Sequence, residues 1–156
     1  MKKVILLLAV CLLLVSAVSC GSDGINVIDT SKYDSIICTS HPAMNPNITE
    51  MTGTLADFID ALNRLEESEI TRYDLSTDID TFGELPGGSY LYIQIDRENI
   101  LDMINVYYYG LGRMVVRILR HDCTSDTQTA VHLFEFTDGE IAGLFGELLN
   151  EFENEY

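Results

Sequence analysis

The order of apolar and polar positions divides the chain into a helical stripe, a block of alternating segments and a second helical stripe. Between residues 54 and 67, Leu55, Phe58, Ile59, Leu62 and Leu65 recur at three- and four-residue spacing, which puts them on one face of a helix. Asp57, Asp60, Asn63, Arg64, Glu66 and Glu67 take the other face, and Thr54 with Asp57 reads as the capping pair. From Ser89 the period changes to two. Leu91, Ile93 and Ile95 alternate with Tyr90, Tyr92 and Gln94; Ile104, Val106 and Tyr108 alternate with Met103, Asn105, Tyr107 and Tyr109. Gly110-Leu111-Gly112 supplies the turn into a third strand over 113–120, and a polar loop over 122–128 leads to a fourth over 129–136. Strands this close in sequence pair antiparallel, so the pattern predicts a meander. Ile141, Leu144, Phe145, Leu148, Leu149 and Phe152 form the second helical stripe, with Thr137 and Glu140 as its capping box. Ahead of the first helix, 33–39 reads as a short strand and the Pro-containing 41–47 as a loop; behind it, 70–75 reads as another short strand.

These elements predict an α+β domain: an antiparallel β meander with two amphipathic helices packed on one face, pinned by Leu144 and Leu148. The opposite face then follows from parity. If Leu91, Ile93, Ile104 and Val106 point to the helices, Tyr90, Tyr92, Tyr107 and Tyr109 point away, joined from the next strand by Arg113 and Arg117. Tyrosine and arginine together have the composition of a recognition surface, so these six are the candidate ligand-binding residues. Cross-strand tyrosine pairs also stabilise an open sheet face by about 0.2–1 kcal/mol each, a purely structural reading of the same rings.

Charge narrows the range of partners. Lys plus Arg number 9 against 25 Asp plus Glu, a net charge of −16, which repels nucleic acid and anionic lipid heads and attracts cations or a basic partner. Asp74, Asp78, Asp80 and Glu84 crowd one loop, but read as a calcium loop from Asp78 it has Phe82 at the fifth place and Ser89 at the twelfth, where oxygen ligands belong. Nothing calls for a cofactor or metal. Nucleophile elbows, HExxH and phosphate-cradling glycine loops do not occur, so the expectation is a non-catalytic module. His41, His121 and His132 form no catalytic spacing.

The first 20 residues change the picture more. Lys2 and Lys3 precede an apolar run from Val4 to Val15 and the small-residue approach Ser16-Ala17-Val18-Ser19, the layout of a signal peptide over residues 1–19. Such a run falls short of the about 20 residues that span a bilayer. Ala17-Val18-Ser19-Cys20 resembles the lipobox of bacterial lipoproteins, and the layout of the whole chain is similar to small Gram-positive lipoproteins. That resemblance implies a lipid on Cys20, cleavage just before it, and a domain held by the lipid on the extracytoplasmic face of the cell membrane. Two acyl chains suffice as an anchor. Residues 20–32 would be a lead and 33–156 a single domain, and the chain from Cys20 onward carries 7 basic and 25 acidic residues, or −18. Cys38 and Cys123 are then the remaining cysteines, and a pair outside the cytoplasm invites a disulfide between them. Two functions fit: a binding or interaction module for a peptide, glycan or protein partner, or an acidic immunity or inhibitor-type lipoprotein that meets a cationic toxin or hydrolase by steering.

Overall fold

In a computed structural model, which describes residues 24–40, 48–77 and 89–154, the chain is an α+β fold built on one six-stranded antiparallel sheet. In chain order the elements are β1 (Ser35–Thr39), α1 (Gly53–Arg64), β2 (Ile70–Arg72), β3 (Ser89–Arg97), β4 (Ile100–Gly110), β5 (Arg113–Asp122), β6 (Thr127–Thr137) and α2 (Gly139–Asn154). The strand order is β1-β3-β4-β5-β6-β2, so the sheet is not a simple meander. Strands β3 to β6 follow one another as neighbours, while the two short strands of the first half take opposite edges. The link from β1 to β2 therefore crosses the whole sheet. Five strand spacings of about 4.8 Å make some 24 Å, and α1 alone spans about 18 Å of that path.

Alternation sorts the sheet into two faces. Register places Leu91 opposite Val106 and Ile93 opposite Ile104, then Val106 opposite Val116 and Ile104 opposite Ile118. These side chains are buried and form one core with Leu55, Phe58, Ile59 and Leu62 of α1 and Ile141, Phe145, Leu148 and Phe152 of α2. Phe145 stands at the junction, its ring 6.2 Å from that of Phe58 and 5.4 Å from that of Tyr108. Leu148 is fully buried, whereas Leu144 packs at the margin, partly exposed; Phe145 takes the central place expected of Leu144 because it meets both the other helix and the sheet.

Both helix starts lie off the expected residues. Thr52, not Thr54, caps α1, accepting the amide of Leu55 at 3.2 Å. Asp138, not Thr137, accepts the amide of Ile141 at 2.8 Å at the start of α2. Thr137 is unavailable because it is paired with Arg113 as the last residue of β6. A carboxylate there also faces the positive end of the helix dipole. The hairpin turn buttresses this cap: Gly112, at φ +78, accepts the Asp138 amide on its carbonyl at 3.0 Å, and a Cβ on it would lie 3.0 Å from Asp138 O.

The lead also differs from expectation. Residues 24–30 belong to the fold: Ile25 N donates to Leu65 O at 2.7 Å, and Asn63 exchanges two hydrogen bonds with the backbone of Ile28. Val27 and Ile28 are buried, and a Cβ on Gly24 would meet Asn63 O at 2.1 Å. Residues 24–30, expected as part of a lead, thus pack into the fold; the apolar pair Val27-Ile28 is too short to show a period.

The core face ends in charge. Asp102, at 3% exposure, takes the place of an aliphatic residue opposite Ile95 and accepts from Arg97 and from Arg120 Nε at 2.7 Å. Arg97 also donates to Asp29 at 2.8 Å, which ties the 24–30 segment to the sheet.

Leu148→Ala should cost about 2–5 kcal/mol and Leu144→Ala distinctly less, since only the first leaves a closed cavity. Chemical denaturation of the two variants measures the difference; equal losses would contradict this packing.

Candidate functional site

The face opposite the common core is made by the same ladder. Tyr90 lies opposite Tyr107 and Tyr92 opposite Asn105, which in turn lies opposite Arg117. Each of these, with Gln94, Met103 and Tyr109, is half-buried rather than covered. The register thus brings Tyr90, Tyr92 and Tyr107 to one surface with Arg117, and Tyr109 and Arg113 to its upper end.

The rings divide by role. Tyr107 and Tyr109, together with Tyr73 from just past β2, pack over Val115 and Leu133, which are 0% and 2% exposed although they lie on this outer face. A small second core therefore rests on these tyrosines. Tyr90 leans on Tyr107, ring centres 5.0 Å apart and tilted by 46°. Its hydroxyl donates to Asn105 Oδ1 at 2.6 Å, and that of Tyr92 to Gln94 Oε1 at 3.2 Å. Burial pushes the Tyr90 phenol up to about 12, with Tyr107 and Tyr92 adding to it, and burial raises Tyr92 as well, so both hydroxyls keep the proton they donate.

The two arginines also separate. Arg113 lies 5.5 Å from the Tyr109 ring centre and donates its Nε–H to Glu135 Oε1, while Tyr73 OH donates to Oε2 at 2.7 Å. Arg113 thus spends its Nε–H on this internal pair. Both oxygens of Glu135 are taken, and the Arg113 hydrogen bond, supported by that from Tyr73, holds its carboxyl below the ordinary glutamate value. Arg117, four residues along β5, makes no hydrogen bond or ion pair with any other described side chain. Sequence reasoning missed Glu135, Tyr73, Asn105 and Gln94; parity on β6 and β3 signalled Glu135 and Gln94, whereas the edge pairing that brings Tyr73 in is non-local.

The cysteines stand apart. Cys38 is buried on β1 opposite Ile93, its thiol pushed up to about 12 by burial, while Cys123 is exposed and bonds through its amide to Asn99 O beyond the end of β3. From Ile93 to Arg97 alone is about 13 Å of strand, against a disulfide limit of about 7 Å between Cα atoms, so the expected Cys38–Cys123 bond is corrected to two free thiols. Asp74 receives the amide and hydroxyl of Ser76, closing its own turn; Asp78, Asp80, Glu84 and His41 lie outside the described residues. His132 faces Arg72 across 3.2 Å, and burial followed by Arg72 and Arg120 lowers its pKa. An open cleft of about 930 Å³ runs between residues 24–31 and the end of α1, but its Asn63 and Asp29 are engaged in the contacts that hold that segment down.

Because the folded carboxyl of Glu135 titrates lower than in the unfolded chain, its pair with Arg113 stabilises the fold above about pH 4.5 and loses that contribution as pH falls through the lowered value. Glu135→Gln should therefore be less stable than the wild type at neutral pH and converge on it in acid; a gap in melting temperature that stays constant from neutral pH down through the acid range would contradict the pairing. No family model, curated protein or solved structure matches the chain.

Proposed function

We propose that the protein is a lipid-anchored extracytoplasmic binding module, non-catalytic, whose ligand lies on the tyrosine-bearing face of the sheet. One observation carries the reading: the pairing of β3 with β4 sets Tyr90, Tyr92, Asn105 and Tyr107 side by side, half-exposed, on the face opposite the common core. Rings held on a rigid ladder lose little entropy on contact and stack on peptide groups or sugars. The packing of both helices against the other face, supported by their shared core with Leu91, Ile93, Ile104 and Val106, leaves this face to the ligand.

The anchor is Cys20. Gly24 is packed into the fold, so a lipid on Cys20 would hold the domain within about 14 Å of chain from the bilayer. No helix among the described residues is long and apolar enough to cross a membrane.

Tyr107 is structural as well as exposed, so the discriminating variant avoids it. Tyr92→Ser combined with Arg117→Ser should melt within a few degrees of the wild type and lose capture on an array of cell-envelope peptides and glycans. Unchanged capture, or a variant that unfolds, would remove the face from consideration. Cys20→Ala should abolish the mass added by the lipid and release the protein from the membrane fraction; a wild-type chain carrying no added mass at Cys20 would refute the anchor.

A further inference from the structure

Resting on that reading of the face, the geometry points to its ligand group: we infer that Arg117, Asn105 and Gln94 form a donor-only cradle for a carboxylate carried by a peptide. The hydrogen bonds on the face show why. Asn105 has its carbonyl oxygen taken by Tyr90 OH, and Gln94 has its own taken by Tyr92 OH. Each amide is thereby oriented, with its oxygen engaged and its NH₂ left to donate. Arg117, directly opposite Asn105, is a donor without any acceptor capacity. Gln94, diagonal to Asn105 across the β3–β4 ladder, completes the set.

Among the described residues no carboxylate bonds these donors. Glu135, the carboxylate diagonal to Arg117 across β5 and β6, has one oxygen on Arg113 and the other on Tyr73. Asp96 lies on the same face, about 13 Å along β3 from the row of Tyr92, Asn105 and Arg117 and about 7 Å from Gln94, with no hydrogen bond between the two side chains. Elsewhere the sheet's arginines are matched: Arg72 with Glu67, Arg97 with Asp29 and Asp102, Arg113 with Glu135, and Arg120 with Asp102. In a chain with 25 acidic and 9 basic residues, the absence of a carboxylate partner at Arg117 among the described residues singles out a site. The complement of three neighbouring donors is a carboxylate, which accepts only and pairs with a guanidinium through two parallel bonds.

The surroundings select a peptide over an acidic sugar. Met103 and Leu119 face each other across β4 and β5 beside the cradle, both half-buried. Apolar side chains flanking an acidic residue have counterparts there, whereas the hydroxyls of a sugar acid need acceptors as well as donors. The chain's net −16 adds a constraint on the source: the carboxylate must belong to a partner that is not itself strongly acidic.

The test uses the full chain, ¹⁵N-labelled, with three probes: acetyl-Leu-Glu-Leu-amide, the same peptide with Gln in place of Glu, and glucuronate. The expected result is a saturable shift of the Asn105 and Gln94 side-chain NH₂ signals and of the Arg117 Nε–H by the Glu peptide, with the Gln peptide at least about tenfold weaker. Arg117→Gln should weaken the Glu peptide at least about tenfold and leave the Gln peptide unchanged. Equal binding of both peptides at these signals would overturn the carboxylate while leaving the face as a binding surface. Glucuronate as strong as the Glu peptide would overturn the peptide source. No shift from any probe would overturn the cradle itself, and capture lost in the Tyr92→Ser, Arg117→Ser variant would still stand for the face.

Discussion

Antiparallel pairing of β3 with β4 in a single register is the constraint on which the rest of the structure depends. Because side chains alternate, the register that sets Ile93 against Ile104 and Leu91 against Val106 also sets Tyr90 against Tyr107 and Tyr92 against Asn105. A slip by one residue would send the aliphatic set to solvent and the tyrosines under the helices. With about 25 cal/mol for each Å² of apolar surface, a row of fully buried Leu, Ile and Val makes that slip prohibitive. The same constraint that builds the core therefore builds the outer face.

Charge refines the register at one end. Asp102 shares the inward parity of Ile104 and Val106, and a bare carboxylate at 3% exposure would be strongly unfavourable. Arg97 and Arg120 answer it from the strands on either side, which only the observed pairing allows. Removing one partner of such a set typically costs about 3–5 kcal/mol, so the trio specifies alignment more than it adds net stability. Through Asp29, the same trio fastens the 24–30 segment to the sheet.

Much of this was legible in the sequence where the signal is local. The two helical stripes, the alternation of β3 and β4 and the Gly110–Gly112 turn each announce themselves within a dozen residues. Non-local features were not. Strands β1 and β2 are five and three residues long, and what makes them strands is partners some 60 residues away on β3 and β6. Hence the edge order escapes a reading that joins neighbours in sequence. The caps moved by one or two residues because several Thr and Asp side chains compete for each helix start, and the ladder removes Thr137 from the competition. The tyrosine face was legible as parity, but the occupancy of its polar groups was not: which arginine wins Glu135, and which end of Asn105 a phenol captures, depends on distances that only three dimensions supply.

A face with oriented amides, an uncommitted arginine and rings in place would need no rearrangement to receive the proposed ligand, which is the physical sense of preorganisation. That advantage exists only if the two parities of β3 are as unlike in access as the ladder makes them. The most direct measurement is alkylation of a single introduced thiol, mapped peptide by peptide, in Tyr92→Cys and in Ile93→Cys under native conditions. The expected result is modification at position 92 at a rate approaching that of exposed Cys123 and protection at position 93 comparable to buried Cys38. Protection at 92, or modification at 93 as fast as at Cys123 in a chain that remains folded, would contradict the assignment of the two faces.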